Sequence, residues 1–297
     1  MIKGLAASIT ASVLFGVLYY LAPLLAPLDG EQIFGWRMLC TMPFTTMLLF
    51  SRGQWPLVRQ LVLRAWRQPL LALGIVASSA LLGIQIWLFL WAPLHGRALP
   101  VSLGYFLLPL VMVLAGRVLY RERLSSLQWL ATALAAAGVV HEVVRTGGMP
   151  WETWLVALGY TAYFILRRRM GTGHLGGHWL DMLLLVPAAS WFVLRAPSSL
   201  PLMAENAHLW ALVPAVGVIS AVALALYMAA NRLLPMGLFG LLGYVEPVLL
   251  AIVALLLGES IGATQWPTYG PIFAAVAVLM IDGTLRLRQR SQRPAPA

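Results

Sequence analysis

Two charged residues stand inside long apolar stretches of this 297-residue chain. Arg37 follows Gln32-Ile33-Phe34-Gly35-Trp36, and Glu246 lies beside Pro247 within a run of leucine, valine and glycine. Placing either charge in hydrocarbon costs about 2.5–3.5 kcal/mol even on the lenient insertion scale, so such residues normally serve a function. A buried guanidinium is suited to a carboxylate, which it meets through paired N–H donors. A buried carboxylate is suited to a substrate ammonium, or to a proton that is taken up and released. The competing roles are structural: Arg37 would pair with Glu31, and Glu246 would sit neutral and hydrogen-bonded at a proline kink. Gln85 and Tyr105 are polar groups in otherwise apolar runs, at a depth similar to that of Arg37. They would either line one cavity with it or bond helix to helix. Tyr244 and Tyr227 offer aromatic faces to an aromatic or cationic ligand, or simply pack. These six residues form the candidate substrate-binding set.

Other reactive combinations are weaker. His174 and His178 have the four-residue spacing of a metal pair, but the intervening Leu-Gly-Gly lacks a zinc-protease glutamate and favours a loop over a helix. His141-Glu142 resembles an acid–base pair without a matched nucleophile and reads as an interfacial polar pair. Asp181 reads as a first-turn helix charge. The single Cys40 forms neither an intrachain disulfide nor a cysteine metal cluster. Lys3 is the one lysine, and it lies in no phosphate-loop context. No catalytic, cofactor or metal site is expected.

The elements that must position these residues follow from composition. Hydrophobic residues make up 61% of the chain and charged residues 10%, with a mean hydropathy of +0.84. A soluble domain carries about 25% charge, so a soluble enzyme is excluded. Membrane spans are expected near 4–22, 31–50, 69–91, 100–119, 126–144, 151–169, 179–195, 209–230, 237–257 and 267–284. The first reads as a retained helix, since no convincing signal-peptide cleavage site follows it. The net charge of +10 is not a nucleic-acid surface, because it clusters in alternate loops. With the N-terminus inside, Arg52, Arg59, Arg64, Arg67, Arg117, Arg167, Arg168, Arg169 and the tail arginines are cytoplasmic, against Arg97, Arg145 and Arg195 outside. The positive-inside rule then puts both termini in the cytoplasm.

An internal repeat organises these spans. Leu103-Gly104-Tyr105, Pro109, Glu122 and Gln128-Trp129 recur as Leu242-Gly243-Tyr244, Pro247, Glu259 and Gln265-Trp266, at offsets of 139, 138 and 137. Span four thus matches span nine. A five-helix unit has odd parity, so its second copy inserts upside down, with a site expected at the repeat interface. The expected fold is an all-α membrane protein of about ten transmembrane helices in two inverted five-helix repeats. Residues 1–146 would form the first repeat, 150–285 the second, and 286–297 a basic cytoplasmic tail. Pro109 and Pro247 would interrupt their helices at matching places, and small residues such as Gly74, Ala131 and Gly217 would allow close packing.

Trp87-Leu-Phe-Leu-Trp91, His95-Gly-Arg97, Ser102-Leu-Gly-Tyr-Phe106, Pro109-Leu110, Tyr120-Arg-Glu-Arg-Leu124 and Gln128-Trp129 resemble the RarD branch of the EamA transporters, within the drug/metabolite transporter superfamily. The resemblance covers essentially the whole chain. Glu31 and Arg37 match the acid and arginine of the family's second helix; Tyr244, Pro247, Gly258 and Glu259 match its ninth. Phe15-Gly16 replaces the usual Trp-Gly, Trp36 a common histidine, and Gln85 a frequent asparagine, so the substrate is not inherited. The resemblance implies export of a small metabolite or drug across the bacterial inner membrane by alternating access. An amino-acid-like or zwitterionic compound, with opine-type metallophores included, suits a cavity that offers both an arginine and a glutamate. An amphenicol-type drug, a phosphate ester, and an accessory protein without transport activity are the alternatives. The implied partners are a small-molecule substrate and the lipid bilayer, with no nucleic acid. Proton or ion coupling stays open, as does monomer against homodimer.

Overall fold

In the computed structural model, residues 2–121, 124–195, 199–234 and 242–291 are described, and their regular structure is helical throughout. In chain order the helices are α1 (Ile2–Leu21), α2 (Gly30–Ser51), α3 (Trp55–Arg67), α4 (Pro69–Leu94), α5 (Ala98–Tyr120), α6 (Ser126–Thr146), α7 (Trp151–Met170), α8 (Leu175–Leu194), α9 (Ser199–Glu205), α10 (Leu209–Leu233), α11 (Val245–Leu256) and α12 (Trp266–Ser291). Short 3-10 turns follow α1 and precede α12.

Among the described residues, eight helices are long and apolar enough to cross a membrane: α1, α2, α4, α5, α6, α8, α10 and α12. They are clad in leucine, valine and tryptophan exposed to the surroundings, such as Leu73, Val144 and Trp191. Lipid accepts such a surface, whereas water would drive it to aggregate. The sixth expected span forms α7, also 20 residues long, but Glu152 in its first turn and three arginines in its last dilute its apolarity. The ninth differs more. A turn at Gly243-Tyr244 precedes α11, which is a 12-residue helix, and residues 237–241 of the expected span lie outside the described ones. The tail beyond residue 291 is likewise outside them.

Local chemistry explains where the helices begin. The Asp29 carboxylate accepts the Gln32 N–H at 2.7 Å while the Gln32 side chain accepts the Asp29 N–H at 3.1 Å, a reciprocal cap on α2. Ser125 and Gln128 cap α6 in the same manner. The two repeated glutamines do one job: Gln128 accepts the Ser125 N–H at 3.0 Å, and Gln265 accepts the Gly262 N–H at 2.8 Å. The tryptophans that follow them, Trp129 and Trp266, are both 53% exposed. Their rings suit the headgroup region.

Glu259 begins α5 from a distance, accepting the N–H of Ala98 at 2.6 Å and of Leu99 at 2.8 Å. A carboxylate there satisfies two orphan donors and meets the positive end of the helix. Replacing it (Glu259→Ala) should cost about 1–2 kcal/mol, read as a lowered thermal midpoint of the purified protein, with Glu259→Gln losing less.

The chain divides into two compact units. One comprises Met1–Gly16, Ala98–Leu158 and Leu226–Ala297; the other comprises Val17–Arg97 and Gly159–Ala225. In the first, α6 packs on α12 and α5 on α11; in the second, α2 packs on α8, with α4 beside both. Contact at these faces depends on missing side chains. A Cβ at Gly35 would lie 2.6 Å from the Ala189 carbonyl, and one at Gly138 would lie 2.6 Å from that of Thr268. Gly217 of α10 meets Cys40 of α2 so closely that a Cβ would collide with it, which accounts for both small residues.

Candidate functional site

Arg37 and Gln85 lie in one compact unit, and Tyr105, Tyr227, Tyr244 and Glu246 in the other. Arg37 is buried on the inner face of α2. Its Nε donates to the Ser220 hydroxyl of α10 at 2.9 Å, and its guanidinium carbon lies 5.4 Å from the centre of the Phe89 ring on α4. Phe89 is itself held by Tyr19, with ring centres 4.8 Å apart. A cation fixed on one edge by a hydroxyl and backed by a ring is oriented before any ligand arrives. Gln85 is buried one helical turn before Phe89, on the same side of α4. The expected alternative for Arg37, a pair with Glu31, is not formed. Six residues along a helix put the two on different faces, and Glu31 instead accepts from Trp87 Nε1 at 3.1 Å and lies 3.6 Å from Arg195.

In the other unit, Glu246 occupies the first turn of α11, just after the Gly243-Tyr244 turn. It is not the mid-helix residue that the apolar run suggested. The N–H groups of a first turn point along the axis without intrahelical acceptors, so this position favours a negative charge. Pro247 beside it needs no donor there, whereas Pro109 sits inside the continuous α5; the two matched prolines do different work. Leu249, one turn past Glu246 on the same face, is met by Gly16 of α1, where a Cβ would lie 3.5 Å from it. Phe15 meets the Tyr227 ring edge-on at 6.4 Å. The Phe15-Gly16 pair therefore adjoins both α11 and Tyr227. Tyr244 is buried in the turn, and Tyr105 is half-buried on α5, the helix that packs on α11.

Two features depart from the sequence expectation. His178 does not lie in a loop: α8 starts at Leu175, and His174, the last residue before it, caps it, its Nδ1 accepting the Gly177 N–H at 3.2 Å. The glycines are required by crowding, since a Cβ at Gly177 would meet the Thr172 carbonyl and the Arg167 guanidinium. Burial, with help from the nearby Arg167 charge, holds His174 below the ordinary imidazole range and so in the neutral form that can accept. Asp181 is no first-turn charge either. It is buried in the second turn of α8, where one oxygen accepts from Ser78 at 2.6 Å and the other from Arg167 at 2.7 Å and Tyr163 at 3.3 Å. Arg167 also donates to Tyr163 and to the backbone carbonyls of Thr172 and His174. This network ties α4, α7 and α8 together at the arginine-rich end of the unit.

At the far end of α6, Thr268 donates its hydroxyl hydrogen to Glu142 at 2.8 Å and so accepts from His141 Nδ1 at 2.9 Å. Arg145 grips the same carboxylate through two nitrogens. The His141-Glu142 pair thus joins α6 to α12, and the Thr268 proton is directed away from the histidine that would have to remove it.

The chain's relatives agree with this architecture. The profile of the EamA-like transporter family matches residues 2–141. An uncharacterized transporter of Pasteurella multocida is 43% identical over 98% of this chain and 99% of its own length. The chloramphenicol-sensitive protein RarD of Pseudomonas aeruginosa is 44% identical over 98% of each. A solved crystal structure aligns with a TM-score of 0.52 at 18% identity, covering 95% of this chain and 98% of the other, which shows a common fold. With its apolar helices and near full-length relatives, the chain belongs to the EamA-like transporter family, as a multi-pass inner-membrane transporter.

Proposed function

We propose that the protein exports a small zwitterionic, amino-acid-like metabolite from the cytoplasm by alternating access, with Arg37 in one unit suited to a carboxylate and Glu246 in the other to a cationic group. The observation that carries this reading is the buried Arg37 guanidinium, held by Ser220 and Phe89 inside an apolar unit. A buried guanidinium suits an anionic ligand, which it meets through paired N–H donors. Glu246 in the first turn of a short helix supports the cationic half of the ligand, because that position favours a charged carboxylate. Gln85, in the unit of Arg37, and Tyr105, Tyr227 and Tyr244, in the unit of Glu246, are the further proposed substrate-binding residues. The arginine bias supports a cytoplasmic position for both termini.

The transport mechanism rests on two inverted five-helix repeats, residues 1–146 and 150–285. The pairing of α2 with α8, α5 with α11 and α6 with α12 supports it, since each joins an expected span to the one five places later. The common role of Gln128 and Gln265 supports it too.

A second reading, export of an amphenicol-type drug, is favoured by the chloramphenicol-sensitive designation of the Pseudomonas relative. Inverted membrane vesicles separate the two. Labelled zwitterionic amino acids and labelled chloramphenicol are offered under an imposed proton gradient, with vesicles lacking the protein as the baseline. Accumulation of a zwitterion supports the first reading, and accumulation of chloramphenicol alone supports the second. Movement of neither overturns both.

A further inference from the structure

Along α2 runs an open apolar groove of about 590 Å³. Leu39, Met42, Pro43, Met47 and Phe50 line it from α2 and Val186 from α8, with Met47 and Phe50 more than half exposed. Its volume is that of a ligand site, about 300–1,000 Å³. Thr46 is the polar residue among the lining, and its hydroxyl is already committed: it donates to the Met42 carbonyl at 2.8 Å and accepts from Trp179 Nε1 at 2.8 Å. The groove therefore offers a ligand only hydrocarbon contact. From Leu39 to Phe50 the helix rises about 16 Å, close to the depth of one leaflet's hydrocarbon, about 15 Å.

The groove ends at a basic, aromatic border. The Trp55 ring stacks on Phe50 with centres 4.8 Å apart and meets Trp179 edge-on at 5.4 Å. Arg52 caps α2 there, and Arg59, Arg64 and Arg67 project exposed from α3, whose Val58 and Leu61 anchor it to the protein. Between Glu31 and Glu122 the sequence contains no acidic residue. Trp66, 85% exposed, stands on the same helix as a headgroup-level anchor.

We propose that this face binds one anionic glycerophospholipid, with an acyl chain in the α2 groove and its headgroup phosphate on Arg52 and the arginines of α3. Such a lipid would be a bound component of the transporter, separate from the transported molecule.

The test uses the full chain in nanodiscs doped with phosphatidylglycerol or phosphatidylcholine probes that carry a photoreactive group near the end of one acyl chain. Adducts are mapped by peptide mass spectrometry. The expected result is labelling concentrated on residues 39–50 and strongest with phosphatidylglycerol, with that preference falling about fivefold for each arginine replaced by glutamine at 52, 59 or 64. Met47→Trp, which fills the groove, should abolish the adduct while preserving the thermal midpoint. Labelling spread evenly over the exposed helices, or equal for both probes, would overturn the proposal. So would a disulfide-linked dimer formed by Met47→Cys in a Cys40→Ser background, which would place a second copy on this face. Loss of labelling when free glycerol phosphate is added would identify a soluble phosphate site instead.

Discussion

Arg167→Met should destabilise the protein more than any other single substitution named here, by about 3–5 kcal/mol, because it leaves the Asp181 carboxylate buried without its cation. Arg167 and Asp181 are both almost wholly enclosed, and the guanidinium also holds the carbonyls of Thr172 and His174 that shape the turn into α8. The double variant Arg167→Met/Asp181→Leu removes both charges and should recover a large part of that loss. Thermal unfolding of purified protein in mild detergent checks this. If the double variant melts no higher than Arg167→Met alone, the charge pair is not the source of the stability and the turn contacts are.

Arg37→Gln should have the opposite profile. Transport should fall about 10- to 100-fold, the range expected when a charged hydrogen-bond partner is lost inside a dry site. The thermal midpoint should fall far less than for Arg167→Met, because a glutamine at this position can still bond to the Ser220 hydroxyl. Arg37→Lys keeps the charge but cannot keep both the Nε bond to Ser220 and the planar contact with Phe89, so it should recover transport only in part. Ser220→Ala should weaken transport less than either. Initial rates in inverted vesicles, read beside melting curves of the same variants, separate a ligand-binding arginine from a structural one. A structural arginine would lose stability and transport together.

The sequence made the spans legible because lipid demands about 20 apolar residues per crossing, and eight stretches met that demand. It also carried a recurring motif, Gln128-Trp129 and Gln265-Trp266, in which each glutamine accepts the N–H of the residue three before it. Helix α3 escaped the hydropathy reading because its mean polarity is high. The signal was present nonetheless, in Trp55, Val58 and Leu61 at helical spacing with arginines between them. The start of α11 was hidden for a related reason: a turn at Gly243-Tyr244 inside an apolar run changes the backbone but not the hydropathy. Gly237, Gly240 and Gly243, clustered just before Glu246, were the available hint. The Asp181 network could not be read from spacing, because Ser78, Tyr163 and Arg167 reach it from other helices. Arg167, Arg168 and Arg169 look alike in sequence, yet only Arg167 lies one turn from Tyr163 on the buried face.

The most direct test of the central claim, that this chain moves a charged small molecule out of the cell through a site containing Glu246, is a mass-spectrometric comparison of cells and medium. A deletion strain, its complement and a Glu246→Gln complement are grown in parallel. A zwitterionic compound should accumulate inside the deletion strain and disappear from its medium, restored by the unmutated copy and not by Glu246→Gln. A compound restored equally by both copies would contradict the role of Glu246, and an unchanged inventory in all three strains would contradict export itself.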